Sequence, residues 1–249
     1  MTIAMTLERL SLLRLPAFRD GLEEQLRNPQ YAELSFEERI ALLVDREYLR
    51  RRENSLARKI RLADFPLRAT VEEIEFDVGR GMERRLILSL AQCEWIGEKL
   101  NVLITGATGA GKTYLACALG EAACRHQYSV RYVRTSRLLL RLSSARADGD
   151  LTRELSILGN ADLLILDEWM RDALTVPQAQ DLLEVVDDRY GHASTLVVSQ
   201  VPVSDWHIRF PDATIAEAIL DRLVHNTHRI SLEGDSQRKL RARKIHSDA

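Results

Sequence analysis

The chain has 249 residues, enough for one substantial α/β core with a small accessory domain, and its 45% apolar and 29% charged composition is ordinary for a soluble protein. A formal net charge of -2 excludes binding to nucleic acid through overall charge, so any such contact must come from local basic clusters. No apolar run approaches the ~20 residues of a membrane span, Glu8, Arg9 and Arg14 break up the N-terminus where a leader would need an apolar stretch, and three cysteines without paired spacing argue against a disulfide framework; the expectation is a soluble cytoplasmic protein.

The segment to about Asp64 reads as helical. Leu7, Leu10, Leu13 and Phe18 are spaced as a helix face, with a break at Pro16 and a turn at Asn28-Pro29. Ser35 followed three residues later by Glu38 has the form of a capping box. A long helix should follow, with Leu42, Leu49, Leu56 and Ile60 as its apolar stripe. Asp64-Phe65-Pro66 ends that helix and predicts a domain boundary, giving a helical domain over 1–66 and an α/β domain over 67–249.

Beyond the junction, strands alternate with helices. Strands are expected at 101–105, 130–133, 162–167, 194–199 and 228–233. Helices are expected at 111–126, 136–146, 151–158, 177–190 and 213–224. Pro177 suits the start of its helix. Cys117 and Cys124, seven residues apart on one helix, read as small core residues. The alternation implies a parallel sheet covered by helices on both faces.

Between the first strand and its helix stands Gly106-Ala107-Thr108-Gly109-Ala110-Gly111-Lys112-Thr113, which fits G-x-x-x-x-G-K-[ST]. Glycines let the backbone N–H groups wrap a phosphate, and the helix that follows turns its positive end toward it. Lys112 is expected at the β- and γ-phosphates and the Thr113 hydroxyl at Mg²⁺. The apolar strand Leu163-Leu-Ile-Leu delivers Asp167 and Glu168 to the sheet edge beside this loop. Asp167 would help hold Mg²⁺, and Glu168 is a candidate general base for an attacking water. The cofactors implied are ATP and Mg²⁺.

With Gly106–Thr113, Asp167-Glu168-Trp169, Ser199-Gln200 followed by Trp206, and Asp221-Arg222-Leu223 followed by Gly234-Asp-Ser-Gln-Arg238, the chain resembles the IstB-like ATPases over nearly its whole length. These are transposition helpers of bacterial insertion sequences, similar to the helicase loader DnaC and members of the AAA+ superfamily. The resemblance implies a P-loop AAA+ core behind a small all-helical domain, without a C-terminal lid; only a short segment follows the last expected strand. It implies ATP held between neighbouring subunits of an ATP-dependent oligomer. By the same resemblance, Arg222 takes the arginine-finger position and Arg238 that of a nucleotide-sensing arginine. The plain alternative for Arg222 is an ion pair with Asp221 or Glu217, and for Arg238 a place in a basic tail. The family commonly has Asn where this chain reads Ser199-Gln200, so either Gln200 or Ser199 would orient the attacking water, and slow hydrolysis is expected.

Arg46, Arg50, Arg51, Arg52, Arg58, Lys59 and Arg61 are opposed only by Glu47 and Glu53. At helical spacing Arg46, Arg50, Arg58 and Arg61 share one stripe that could follow a phosphate backbone, and arginine suits such contacts. The tail from Arg238 to Lys244 adds five basic residues. No aromatic-interleaved reading motif accompanies them, so duplex DNA with little sequence specificity is the expected partner, beside a cognate transposase. Trp169 and Trp206 read as packing residues, and His225 and His228 lack the further ligands of a metal site. The competing readings are a DnaC-like helicase loader, a small-molecule kinase and a nucleotide-dependent scaffold.

Overall fold

The computed structural model describes residues 2–76 and 81–233. Its contacts divide the chain into two units, Met1–Arg58 and Lys59–Ala249.

In the first unit α1 (Ile3–Leu12) leads through a turn at Arg14 into α2 (Pro16–Arg27), which Pro16 opens. Asn28 then caps a short 3₁₀ turn over Pro29–Glu33 through its side-chain oxygen and Gln30 N, 3.1 Å apart. The box at Ser35 forms in both directions: Glu38 N donates to Ser35 Oγ at 3.2 Å and Ser35 N to Glu38 Oε2 at 2.8 Å. From it runs α3 (Phe36–Ala63), the long helix expected.

The buried face of α3 is not the expected one. Leu42 and Leu49 are 47% and 55% exposed, whereas Leu43 and Glu47 are 2% and 5% exposed. The cause lies on α2, whose small residues Ala17 and Gly21 leave room for close approach; a Cβ on Gly21 would come within 2.8 Å of Leu43 Cδ2. The backbone N–H groups of Ala17 and Phe18, unsatisfied at the start of α2, donate to Glu47 Oε2 at 2.9 and 3.3 Å. Glu47 thus caps a neighbouring helix from the side, and that need for an anion sets the phase of α3. Arg50 beside Glu47 holds its carboxyl well below the usual carboxylate range, at about 2; burial opposes this, and Arg51 and the two N–H groups add to it.

In the second unit a 3₁₀ turn (Val71–Glu73) and two short helices, α4 (Arg84–Ala91) and α5 (Glu94–Gly97), precede the sheet. Then follow β1 (Asn101–Gly106), α6 (Lys112–Arg125), β2 (Val130–Arg134), α7 (Thr135–Asp148), α8 (Leu151–Gly159), β3 (Leu163–Asp167), α9 (Val176–Arg189), β4 (Ser194–Ser199), α10 (Ala213–Val224) and β5 (Thr227–Leu232). All pairings are parallel, in the order β2-β3-β4-β1-β5. Every residue of β3 and β4 is buried, which explains their unbroken apolar runs. Cys117 and Cys124 are fully buried on α6, and burial pushes both thiols up to about 12. Trp169 and Trp206 meet edge to face with ring centroids 6.0 Å apart, inside the core under α9 and α10.

Arg189 ends α9 at 2% exposure and makes no ion pair among the described residues, though the Asp162 charge lies near enough to be felt. Its Nη1 donates to the carbonyls of Leu158 at 2.5 Å and Ala161 at 2.8 Å, its Nε to Thr195 Oγ1 at 3.1 Å, and its Nη2 to the Ser194 carbonyl. One guanidinium so satisfies the carbonyls where α8 stops and β4 begins.

Two outcomes are expected. Because the Glu47 carboxyl is depressed, its contribution is present above pH 4.5 and lost as pH falls toward about 2. The melting-temperature deficit of Glu47→Gln should be full at pH 7 and shrink over that window. Arg189→Met orphans several carbonyls and should cost about 3 kcal/mol in urea unfolding at any pH between 5 and 8.

Candidate phosphate-binding site

Parallel strands put their C-terminal ends on one edge of the sheet, and β3, β4 and β1 are consecutive there. Asp167, Ser199 and Gly106 end those three strands, so the topology alone gathers the phosphate loop, the acidic pair and the Ser199-Gln200 step. Gly106 turns out of β1 with φ 146°, and a Cβ there would sit 2.3 Å from the Leu232 carbonyl oxygen on β5. Gly111 enters α6 with φ 98°. Both positions need glycine for these reasons.

Lys112 Nζ folds back over the loop and donates to the carbonyls of Gly106 and Ala107, each at 2.8 Å. Burial lowers its pKa, and the Asp167 charge pulls the other way. Such a lysine has donors to offer an incoming phosphate without first losing a carboxylate partner.

Asp167 is 4% exposed and fully engaged. Its Oδ2 accepts from Thr113 Oγ1 at 2.8 Å and from the Tyr132 hydroxyl at 2.6 Å, and its Oδ1 from Glu168 N at 2.7 Å. Burial, then the bond to Asp167, pushes the Tyr132 phenol upward, so it stays a donor at neutral pH. The neighbouring hydroxyl and carboxylate of Thr113 and Asp167 fit a hard cation such as Mg²⁺, which favours oxygen ligands and keeps several waters.

Glu168 sits at φ 56°, turned out of the strand. Its Oε2 accepts from Arg171 Nη1 at 2.7 Å, and Arg134 Nε lies 3.8 Å from Oε1. The candidate base is therefore tied between two arginines that sequence reasoning did not flag. Ser199 and Gln200 face different ways. Ser199 is fully buried, donating to the Trp169 carbonyl at 2.7 Å and accepting from Val201 N at 3.0 Å. Gln200 Oε1 accepts from Thr108 Oγ1 at 2.7 Å, so its amide is the one on the phosphate loop.

Arg222 is not gathered with these groups. It ends α10 at the opposite edge of the sheet, paired with Asp187 of α9 rather than with Asp221 or Glu217. Asp221 pairs with His225 at 3.0 Å instead. Arg238, with Gly234–Arg238 and the tail to Lys244, lies outside the described residues.

The basic residues of α3 divide. Arg46 pairs with Glu24 at 2.7 Å; Arg50 and Arg51 pair with Glu47 at 2.5 and 2.9 Å, and Arg51 also donates to the Arg14 carbonyl at 3.0 Å. Arg52, Arg58 and Arg61 are exposed with no partner among the described residues. The expected stripe thus mixes arginines engaged within the helical unit with ones presented to solvent.

The family model described as IstB-like ATP binding protein matches residues 8–245. The chain belongs to this family. It is 42% identical to y4pL of Sinorhizobium fredii, named as an insertion sequence ATP-binding protein, over 96% of this chain and 98% of the relative. It is 46% identical to the IS1162 ATP-binding protein of Pseudomonas fluorescens, over 80% of this chain and 87% of that one. Among solved structures, DnaI superposes with TM-score 0.59 at 17% identity, covering 67% of this chain and 92% of that chain. AMPPCP-bound DnaA from Aquifex aeolicus gives 0.58 at 17% identity over 74% of this chain and 56% of that chain. These likenesses establish an AAA+ core fold, as the sequence motifs led one to expect. Membership establishes an ATP-binding protein of the insertion-sequence type.

Tyr132→Phe should leave the fold intact and weaken binding of a fluorescent ATP analogue with Mg²⁺ by about three- to tenfold, the net worth of one ordinary hydrogen bond. Binding without Mg²⁺ should change less. A titration of both proteins with and without Mg²⁺ measures this.

Proposed function

We propose that the chain is a cytoplasmic ATPase that assembles on duplex DNA in its ATP state and recruits or stimulates the transposase of its insertion sequence. What supports this most is the complete phosphate-loop and Asp167–Glu168 site in a chain whose relatives are named for insertion sequences. Helicase loading, the second reading, has only the fold likeness to DnaI and DnaC behind it.

Within the site, Gly106 to Thr113 cradle the phosphates with backbone N–H groups. Lys112 exchanges its two carbonyl partners for phosphate oxygens. Thr113 and Asp167 hold Mg²⁺, with Tyr132 keeping Asp167 in place. The bound cation would neutralise phosphate charge and orient the reacting oxygens. Glu168, freed from Arg171, accepts a proton from the attacking water, and Gln200 orients that water or registers the γ-phosphate. Since Gln200 already has a partner in Thr108 and Glu168 in Arg171, both must change partners before reaction, which accords with slow turnover. Arg222 serves the site of a neighbouring copy, and Arg238 senses nucleotide in its own.

DNA contact belongs to the helical region 1–66, with 67–249 as the ATPase. Arg58 and Arg61 contribute directly; Arg46, Arg50 and Arg51 contribute charge while holding the helices together. Such contacts are read in the phosphate backbone and carry little sequence preference.

The test measures duplex-DNA binding and particle size with ATP, with ADP and for Lys112→Ala. ATP should drive large DNA-bound particles, and ADP or the variant should not. Arg58→Ala with Arg61→Ala should weaken binding on all sequences alike and flatten its salt dependence by about 0.9 in slope per lost contact. A protein that stays monomeric and ignores duplex DNA under every nucleotide sinks the reading.

A further inference from the structure

Arg222 cannot reach the phosphate loop of its own chain. It ends α10, just before β5, and β5 runs parallel to β1 with Asn101 opposite Thr227 and Gly106 opposite Leu232. Asn101 Nδ2 donates to the Arg222 carbonyl at 3.1 Å, fixing that helix end to the edge where the strands begin. The phosphate loop leaves from the edge where they finish, a strand length of roughly 20 Å away. Any loop-bound nucleotide phosphate that Arg222 touches therefore sits in another copy.

The side chain is nevertheless not left loose. Its Nε pairs with Asp187 Oδ1, its Nη1 donates to the Ala218 carbonyl at 2.8 Å, and its guanidinium carbon lies 5.8 Å from the centre of the Tyr190 ring. Asp187 and Tyr190 both come from the C-terminal end of α9, three residues apart and so on one face of the helix end. The nearer acids on α10 do not compete, since Asp221 is engaged by His225 and Glu217 makes no ion pair among the described residues. No hydrogen bond among the described residues engages Nη2, the remaining arm of the fork, and the side chain keeps 30% of its surface in water.

We propose that Asp187 and Tyr190 are positioning residues for Arg222, holding its guanidinium with one arm presented so that it meets the phosphate of a second copy already oriented. The proposal rests on the reading that Arg222 acts between copies. A free arginine would have to give up its rotamer freedom at the moment of reaction, whereas a guanidinium fixed beforehand by an acid, a carbonyl and a ring has already done so. Asp187 never touches the nucleotide; its effect passes through Arg222 alone and should appear in kcat, with little change in the KM for ATP.

Subunit mixing separates the layers of this proposal. Arg222→Ala keeps its phosphate site but donates no arginine; Lys112→Ala donates an arginine but has lost its site. Each alone should be inactive, and the mixture should hydrolyse ATP. Adding Asp187→Asn to the Lys112→Ala copy should lower the restored kcat about tenfold, and Asp187→Glu in the same copy should recover part of it. Adding Asp187→Asn to the Arg222→Ala copy should leave the restored rate unchanged. If the mixture never regains activity, the between-copies reading of Arg222 falls and takes the proposal with it. If the mixture is active but Asp187→Asn has no effect in the donating copy, or lowers the rate equally in either copy, the between-copies reading stands and the positioning role is refuted. A faster donating copy would make the ion pair an inhibitory latch and overturn the proposal equally.

Discussion

A carboxylate taken out of water must be given donors, and at Asp167 that requirement organises the site. Three donors converge on it from three elements: Thr113 on α6, Tyr132 on β2, and the backbone of Glu168 just past β3. Remove the parallel register of β2 on β3 and the phenol misses its partner; shift α6 by a residue and the hydroxyl does. Just past Asp167 the chain turns sharply: Glu168 leaves in a left-handed conformation and Trp169 returns to the core, its N–H donating to the Val198 carbonyl at 2.9 Å. Phosphate loop, acidic pair and hydrophobic core are thereby one cooperative object.

Much of this was readable in the linear chain, because the signals are local. Glycines at 106, 109 and 111 before Lys112, and four apolar residues before Asp167, specify a loop and a buried strand with no knowledge of neighbours. The split between Ser199 and Gln200 follows from where β4 stops: Ser199 is the last residue of a strand buried on both faces, and Gln200 lies just past its end beside the phosphate loop. Tyr132 was invisible for a related reason: nothing in its own segment says that β3 will lie alongside. Arg171 and Arg134 look like surface charges until Glu168 is seen between them. The helices α4 and α5 escaped notice because they are short and joined at Cys93, a non-glycine residue at φ 62°.

The helical unit teaches the complementary lesson. Apolar spacing suggested Leu42 and Leu49 as the inner face of α3, yet the helix turned to bury a glutamate. Glu47 is an acceptable core residue because a helix N-terminus and two arginines face it, an arrangement in which charge is matched before it is buried. Periodicity counts apolar residues and is blind to such a match. It also explains why a run of arginines need not be a single binding surface: some of them are holding the fold.

The burial of Cys93, Cys117 and Cys124 has a practical side. Thiols pushed up to about 12 and sealed from solvent present almost no thiolate at neutral pH, so maleimides and iodoacetamides should pass them by. A single cysteine placed on an exposed helix face would then be the one position that takes a dye or a cross-linker, with no native residue first removed. The protein comes with a blank background for site-selective labelling, which suits it to distance measurements from a chosen surface position.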